Sequence, residues 1–382
     1  MSQAAPLQQH PPEPGPSHPQ TTVVRSRFQP GLRTRCILYG VLAAAALTGL
    51  IALGSRGFHW FDAALIGYVV ATIFATAAVT YKYSFWLARP PTGRYWRRSW
   101  RLFFSYENFR RYTTLIPLSI LDLFSQQFIR RRSIYRWIMH QCIFWGVLLS
   151  CCITFPLTFG WIRMTLTPTG EHLLWFFGFP LFSFRPESVL GFLIYHALDI
   201  TALLLLVGLV LALHRRFHDL ALISIQRFGF DIVPLALLLA IVVSGLALTA
   251  DSAWLGGAYY WYLSLSHEVV VVLWLISLPF GKFFHLIERP ATVGIELYWK
   301  TGEGTAWQRC ARCGEAFAPA RFIEDLKKTL LEVGEDYRLH RDSSASRPEQ
   351  ALWWQDLCPA CKRIARGQAT LAAIDPEGNR FL

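Results

Sequence analysis

His267 and His285 stand eighteen residues apart at the two ends of a membrane-length apolar run, His267-Glu268-Val-Val-Val-Val-Leu-Trp-Leu-Ile-Ser-Leu-Pro-Phe-Gly-Lys282-Phe-Phe-His285. At about 100° per residue, eighteen positions close about five helical turns, so a continuous helix would turn both imidazoles to one side. The rise between them would be about 27 Å, close to a hydrocarbon layer of roughly 30 Å, which puts one imidazole near each membrane surface. Ionisable side chains inside a bilayer are costly and mostly functional, and neutral imidazole is the commonest axial ligand of haem iron. The bland reading is an interfacial histidine at each end; the repeat on one face weighs against it.

Two more membrane histidines match these in depth. The third apolar run passes from inside to outside and the fourth returns, so His140 lies level with His285, and His196 with His267. Two bis-histidine haem sites, stacked across the membrane, can be drawn from these four. His214, eighteen residues after His196 on the same face, competes with His140 for the inner site. Arg215 and Arg216 beside it mark a wet boundary and favour an interfacial side chain. Glu268 adjoins His267, and Asp199 lies one turn from His196. Either carboxylate could accept a proton at the outer end or orient an imidazole, against the plain alternative of a water-facing boundary residue. Lys282, one turn before His285, could pair with a haem propionate or snorkel to the inner surface.

A different chemistry sits in the polar tail. Cys310-Ala-Arg-Cys313-Gly and Cys358-Pro-Ala-Cys361 are two Cys-x-x-Cys knuckles of the kind that give four thiolates to one tetrahedral metal. Zinc is the expected ion, because iron–sulfur ferredoxin domains bring three cysteines in one compact run; a single iron–sulfur cluster on the same thiolates is the alternative. Cys36, Cys142, Cys151 and Cys152 lie in apolar segments and read as packing residues.

The elements that must hold these groups are legible in the composition. Of 382 residues 53% are apolar, gathered in long runs rather than amphipathic periods, which is the signature of a polytopic membrane protein. Six runs reach spanning length: about Cys36–Gly54, Phe61–Tyr81, Trp137–Trp161, Leu190–Leu213, Ile232–Leu248 and Tyr262–Leu286. The net charge of +12 comes from Lys and Arg beside these runs, where they set orientation and meet anionic lipid, so a nucleic-acid partner is not expected. Arg25 to Arg35, the many basic residues from Lys82 to Arg132, and Arg215, Arg216 and Arg227 share one side. The other side offers little beyond Arg56, Arg163 and Arg185. Both termini are therefore expected in the cytoplasm, with the chain in the inner membrane.

The expected organisation is all-α. Residues 1–29 form a disordered tail without a cleavable signal, and 30–88 give two transmembrane helices. Residues 89–135 form a basic cytoplasmic or interfacial segment, 136–289 a four-helix haem-binding membrane domain, and 290–382 a small cytoplasmic metal-binding tail. Within the basic segment, Thr114 to Gln127 is apolar but interrupted by Asp122, Gln126 and Gln127, which suits a helix lying on the inner surface better than a seventh span. In the tail, Arg321 to Val333 reads as an amphipathic helix stopped by Gly334, and Leu339 to Gln350 as loop.

The closing run, with His267, Leu278-Pro-Phe-Gly-Lys282-Phe-Phe-His285 and Pro290, resembles the final helix of the cytochrome b (gamma) subunit of respiratory nitrate reductase. It is similar also to the membrane cytochromes of heterodisulfide reductase and the sulfite reductase complex. Ile138-Met-His140 resembles that family's earlier ligand helix, and Leu213-His-Arg215-Arg216-Phe217 its basic loop. The resemblance implies two b haems, quinol chemistry at the outer one, and electron delivery to a cytoplasmic iron–sulfur or other redox subunit. The family's second ligand on the earlier helix would fall ten residues after His140, where this chain has Ser150. His196 is then the residue that would have to supply it.

Three functional classes follow. The first is an electron-transfer subunit between the quinone pool and a cytoplasmic partner, its substrate a quinol or quinone. The second is a secondary transporter whose membrane histidines and carboxylates relay protons; the absence of paired broken helices or internal duplication weighs against it. The third is a zinc-ribbon membrane adaptor without haem. No nucleophile–base pair or phosphate-binding glycine loop stands out.

Overall fold

In a computed structural model of the chain, residues 31–90, 92–103, 120–121, 123–289, 291, 298–299, 306–339 and 352–374 are described. The expected disordered tail, Thr114 to Ser119, Asp122, Pro290 and the loop from residue 340 to Gln350 lie outside them. Among the described residues six helices are long and apolar enough to cross a membrane. They are α1 (Leu32–Gly54), α2 (Ile66–Ala88), α4 (Ile134–Thr158), α6 (Ala197–His218), α7 (Val233–Trp254) and α8 (Tyr260–Ser277), with α3 (Thr92–Phe103) after the second and α5 (Val189–Tyr195) before the fourth. The protein is a helical, multi-pass membrane protein with a cysteine-rich C-terminal region.

The helices pack in the order α1, α2, α8, α7, α6, α4, and the last four form one bundle around a shared core. Its core is aliphatic, with Leu205, Leu209, Leu238, Val242 and Leu275 buried. Glycines set the tightest approach. A Cβ on Gly146 of α4 would lie 2.7 Å from the Leu205 Cβ, and one on Gly208 of α6 would lie 2.8 Å from the Ile143 nitrogen. Only backbones without side chains fit there, as is common between membrane helices. At the end of the bundle away from the basic loops, Trp254, Tyr259, Tyr260, Trp261 and Tyr262 are exposed, an aromatic girdle of the kind found at a membrane–water boundary.

That far end also carries a three-stranded antiparallel sheet, β1 (Ile162–Leu166), β2 (His172–Phe176) and β3 (Phe179–Phe184), a departure from the expected all-α organisation. Its second turn is Phe177-Gly178, both at positive φ (50° and 83°), the two-residue hairpin geometry that matches strand twist. Arg56 donates to the Gly178 carbonyl at 2.8 Å and lies over the Trp60 ring, which fastens the sheet to the α1–α2 connection.

The sixth span departs from expectation. The helix α8 ends at Ser277, and the chain turns through Leu278 to Gly281 before a 3-10 turn at Lys282–Phe284 and a further helical stretch from His285. Pro279 has no N–H to donate and its ring crowds the carbonyl four residues back, while Gly281 is extended at φ −106° and ψ −164°. Lys82 of α2 reaches across to the freed Pro279 carbonyl at 2.7 Å and covers the Phe284 ring. His267 and His285 are therefore not on one continuous helix.

Among the described residues the tail has two antiparallel strand pairs and two longer helices: β4 (Trp307–Arg309) with β5 (Ala316–Pro319), α9 (Ala320–Glu332), β6 (Arg338–Leu339) with β7 (Leu352–Trp353), and α10 (Pro359–Ile374). The helix α9 docks on α3. Asp325 is 1% exposed and receives hydrogen bonds from Arg98 at 2.8 Å and from the Tyr298 hydroxyl at 2.5 Å. Arg94 pairs with Glu332 and donates to the Asp325 carbonyl, and Tyr95 stacks on Phe322 at 5.4 Å. Arg94 and Arg98, assigned above to orientation and lipid, are thus engaged in holding the tail. The described part of the expected surface helix is interrupted at Gln126 (φ 50°), and its carbonyls at Phe124 and Ser125 receive the side chains of Gln141 and Trp137 on α4.

Candidate functional sites: membrane histidines and a four-cysteine cluster

His140 enters from the first turns of α4, started by Ser133, whose Oγ accepts from the Arg136 N–H. Its Nδ1 is buried without a hydrogen-bond partner, and His285 and Arg289 are the ionisable groups near it. The break at Pro279 thus still leaves His285 at the basic end, near His140. The His285 Nδ1 bonds the Lys282 carbonyl, which leaves Nε2 as the free ring nitrogen. His214 is exposed and its ring stacks on His218 at 4.3 Å, whereas His285 lies close enough to His140 to act on it electrostatically.

Lys282 is engaged elsewhere than expected. It forms an ion pair with Asp231 at 2.5 Å, and Arg216 approaches the same carboxylate oxygen at 3.3 Å. This triad ties the ends of α6 and α7 to the turn that carries His285. A propionate partner role for Lys282 would have to compete with Asp231.

At the far end, α4, α6, α7 and α8 line a partly open cavity of about 350 Å³. His267 and Asp199 both line it, as do Ser150 and Trp274. Ser244 bonds the His267 Nδ1 at 2.9 Å, again leaving Nε2. His196 does not line the cavity. It sits at the joint between α5 and α6, its ring tilted against Phe192 at 4.5 Å, with Nδ1 3.0 Å from Asp199. The expected pairing of His196 with His267 is therefore not assembled: the carboxylate of Asp199 stands between His196 and the cavity. Ser150, in the position where a second ligand was missing, bonds Thr201 at 2.9 Å.

Glu268 also departs from its expected place. One residue on from His267, it points away from the cavity toward α2, where Gly67 leaves room for its carboxylate. Adjacent residues on a helix are turned about 100° apart, so Glu268 faces away from the cavity that His267 lines.

The four tail cysteines do converge. All their sulfurs lie within 4.8 Å of one another, and Cys313 and Cys358 are 3.7 Å apart. That spacing matches the edge of a tetrahedron with metal–sulfur bonds of about 2.3 Å, roughly 3.8 Å. Cys310 and Cys313 sit on the turn between β4 and β5, closed by Gly314 at φ 76°. Cys358 and Cys361 open α10, and the Ala311 N–H bonds the Asp356 carbonyl at 2.9 Å to join the two knuckles. Burial acts to raise the Cys310 thiol, but the backbone N–H groups of Cys313, Cys358 and Arg312 outweigh it and hold it at about 6. Burial and the neighbouring thiols push Cys361 up to about 12. The cluster has the donor set and geometry to hold a metal ion such as zinc.

The docking contact between α3 and α9 escaped the sequence reading, although its signal was there. Arg94 and Arg98 are spaced one turn apart on a helix, and Asp325 and Glu332 two turns apart on another. No family model, curated protein or solved structure matches the chain.

Proposed function

We propose that the chain is the membrane-embedded electron-transfer subunit of a respiratory oxidoreductase, passing electrons between the quinone pool and a redox partner at its basic end. The single observation that carries this reading is the approach of His140 and His285 from different elements at that end, with the His140 Nδ1 buried and unpartnered. An orphaned buried nitrogen costs about 1–3 kcal/mol unless something meets it, and an imidazole whose Nδ1 is held by a neighbour, as in His285 and His267, is the usual arrangement of a metal-ligating histidine.

The residues fit one b haem, held by His140 and His285. Bound there, it would supply a one-electron ferric–ferrous couple. The chain's own residues do the rest: the Lys282 carbonyl fixes the His285 ring, Lys82 holds the turn that delivers it, and the Asp231 triad braces that turn. A second haem on His196 and His267 does not fit the far cavity, because His267 alone of the two reaches it.

In this reading the basic end faces the cytoplasm of a bacterial-type inner membrane under the positive-inside rule, and both termini share that side. Zinc in the four-cysteine cluster would make the tail a docking module beside the electron exit. The tail's fastening to α3 also suits a zinc-ribbon adaptor without haem. The visible spectrum of the purified chain separates the two: reduced-state bands of a b-type cytochrome are expected, and a protein without them is the adaptor.

A further inference from the structure

Metal ligation and attachment to the membrane part meet in one residue of the tail, Asp356. Its Oδ1 accepts from Lys327 of α9 at 2.6 Å and from Gln308 of β4 at 3.1 Å, and its Oδ2 from the Trp353 N–H at 3.1 Å. Its carbonyl accepts from the Ala311 N–H, inside the first knuckle, and Cys358 of the second follows two residues on. The segment that the two knuckles clamp is therefore the one that aims the Asp356 carboxylate at α9. Lys327 lies two positions after Asp325, about 200° round the helix, so α9 is held on opposite faces by Asp356 and by α3.

The grip of α3 depends on α9 staying helical, because its contacts run from Phe322 to Glu332, about three turns. The helix has 13 residues, no side-chain cap at Pro319 and no acidic residue in its first turn. A helix of that length is marginal in water without packing. Its packing begins at the cysteines. β5 passes directly into α9, and the buried cluster around the sulfurs consists of Cys310, Cys358, Cys361 and Leu357, with Phe317 of β5, Trp354 and Ala365 against it. Most of those buried residues are metal ligands. In so small a core the free energy of metal binding is largely free energy of folding, and metal-free thiols offer only weak S–H donors to hold the knuckles together.

We propose that the cysteine cluster is a metal-dependent latch: with metal bound, Asp356 grips Lys327 and keeps α9 against α3, and loss of the metal releases the tail from the membrane part. Asp356 and Lys327 are its positioning residues. The inference rests on the cluster holding metal and is independent of haem.

The test is hydrogen exchange of the purified full chain in detergent under thiol reductant, with zinc bound, after stripping by a chelator, and after zinc is restored. Exchange in α9 should rise roughly tenfold or more on stripping and recover with zinc, while exchange in α6 stays unchanged. Lys327→Met should keep about one zinc per chain and raise α9 exchange roughly tenfold, the loss of one charge-assisted hydrogen bond. Arg98→Ala should also keep its zinc while α9 exchange rises, since it breaks the grip beyond the metal. Wild-type protection of α9 in the stripped protein overturns the proposal, as does a chain that takes up no metal at the cluster. A Lys327→Met variant that keeps both zinc and full protection overturns it too, by removing the route through Asp356.

Discussion

Arg98 of α3 donates to Asp325 of α9 across 2.8 Å, with the carboxylate side chain 2% exposed and the guanidinium 29% exposed. The contact joins the membrane part to the tail. Arg98→Ala would leave Asp325 buried with the Tyr298 hydroxyl as its remaining side-chain donor among the described residues, and removing one partner of a buried pair costs roughly 3 kcal/mol. The expected outcome is faster proteolytic release of the tail from the detergent-solubilised chain. The double variant Arg98→Ala, Asp325→Asn should be cleaved more slowly than Arg98→Ala, because it removes the uncompensated charge.

The same contact carries a pH signature. Burial, with the Asp325 charge beside it, pushes the Tyr95 hydroxyl up to about 12, and burial and the Asp325 hydrogen bond raise Tyr298 further. A group whose folded pKa is raised stabilises the docked form below its unfolded pKa of about 10 and loses that contribution as pH climbs through the folded value. Docking should hold constant from neutrality to about pH 10 and loosen between there and about 12. Hydrogen exchange in α9 measured across that window checks it, with Tyr95→Phe and Tyr298→Phe expected to flatten the response.

The cysteine cluster is expected to hold one metal ion per chain. Metal analysis of the full chain prepared without chelator should give about one equivalent of zinc. Cys310→Ser and Cys358→Ser should each bring it below about half, because three thiolates no longer close the tetrahedron. Iron in place of zinc would assign the cluster alternative.

The turn at Pro279 is expected to matter for His285 more than for folding. Pro279→Ala restores an N–H and lets α8 continue, which turns His285 away from His140. The variant should keep its helical content and lose the inner haem, read as circular dichroism against the visible spectrum.

The spans were legible because a bilayer demands long apolar helices, and no other element satisfies the backbone there. The four cysteines were legible because metal ligation fixes their spacing. The histidine geometry was legible only in part. His285 lies close enough to His140 to act on it electrostatically, but eighteen residues of helix were assumed where Pro279 and Gly281 break the chain, and both residues were in plain view. His196 matched His267 in depth and still does not reach its cavity, since depth says nothing of rotation and Asp199 claims its ring. The sheet between α4 and α5 was missed because its strands are only five or six residues long and the third, Phe179 to Phe184, shows no clear two-residue alternation.

Haem content per chain, taken from the visible spectrum of purified wild type, His140→Ala, His285→Ala and His214→Ala, tests the central claim most directly. The account predicts one b haem in the wild type, its loss in His140→Ala and in His285→Ala, and its retention in His214→Ala. A wild type without haem, or a His140→Ala variant that keeps a full complement while His214→Ala loses it, would contradict the account.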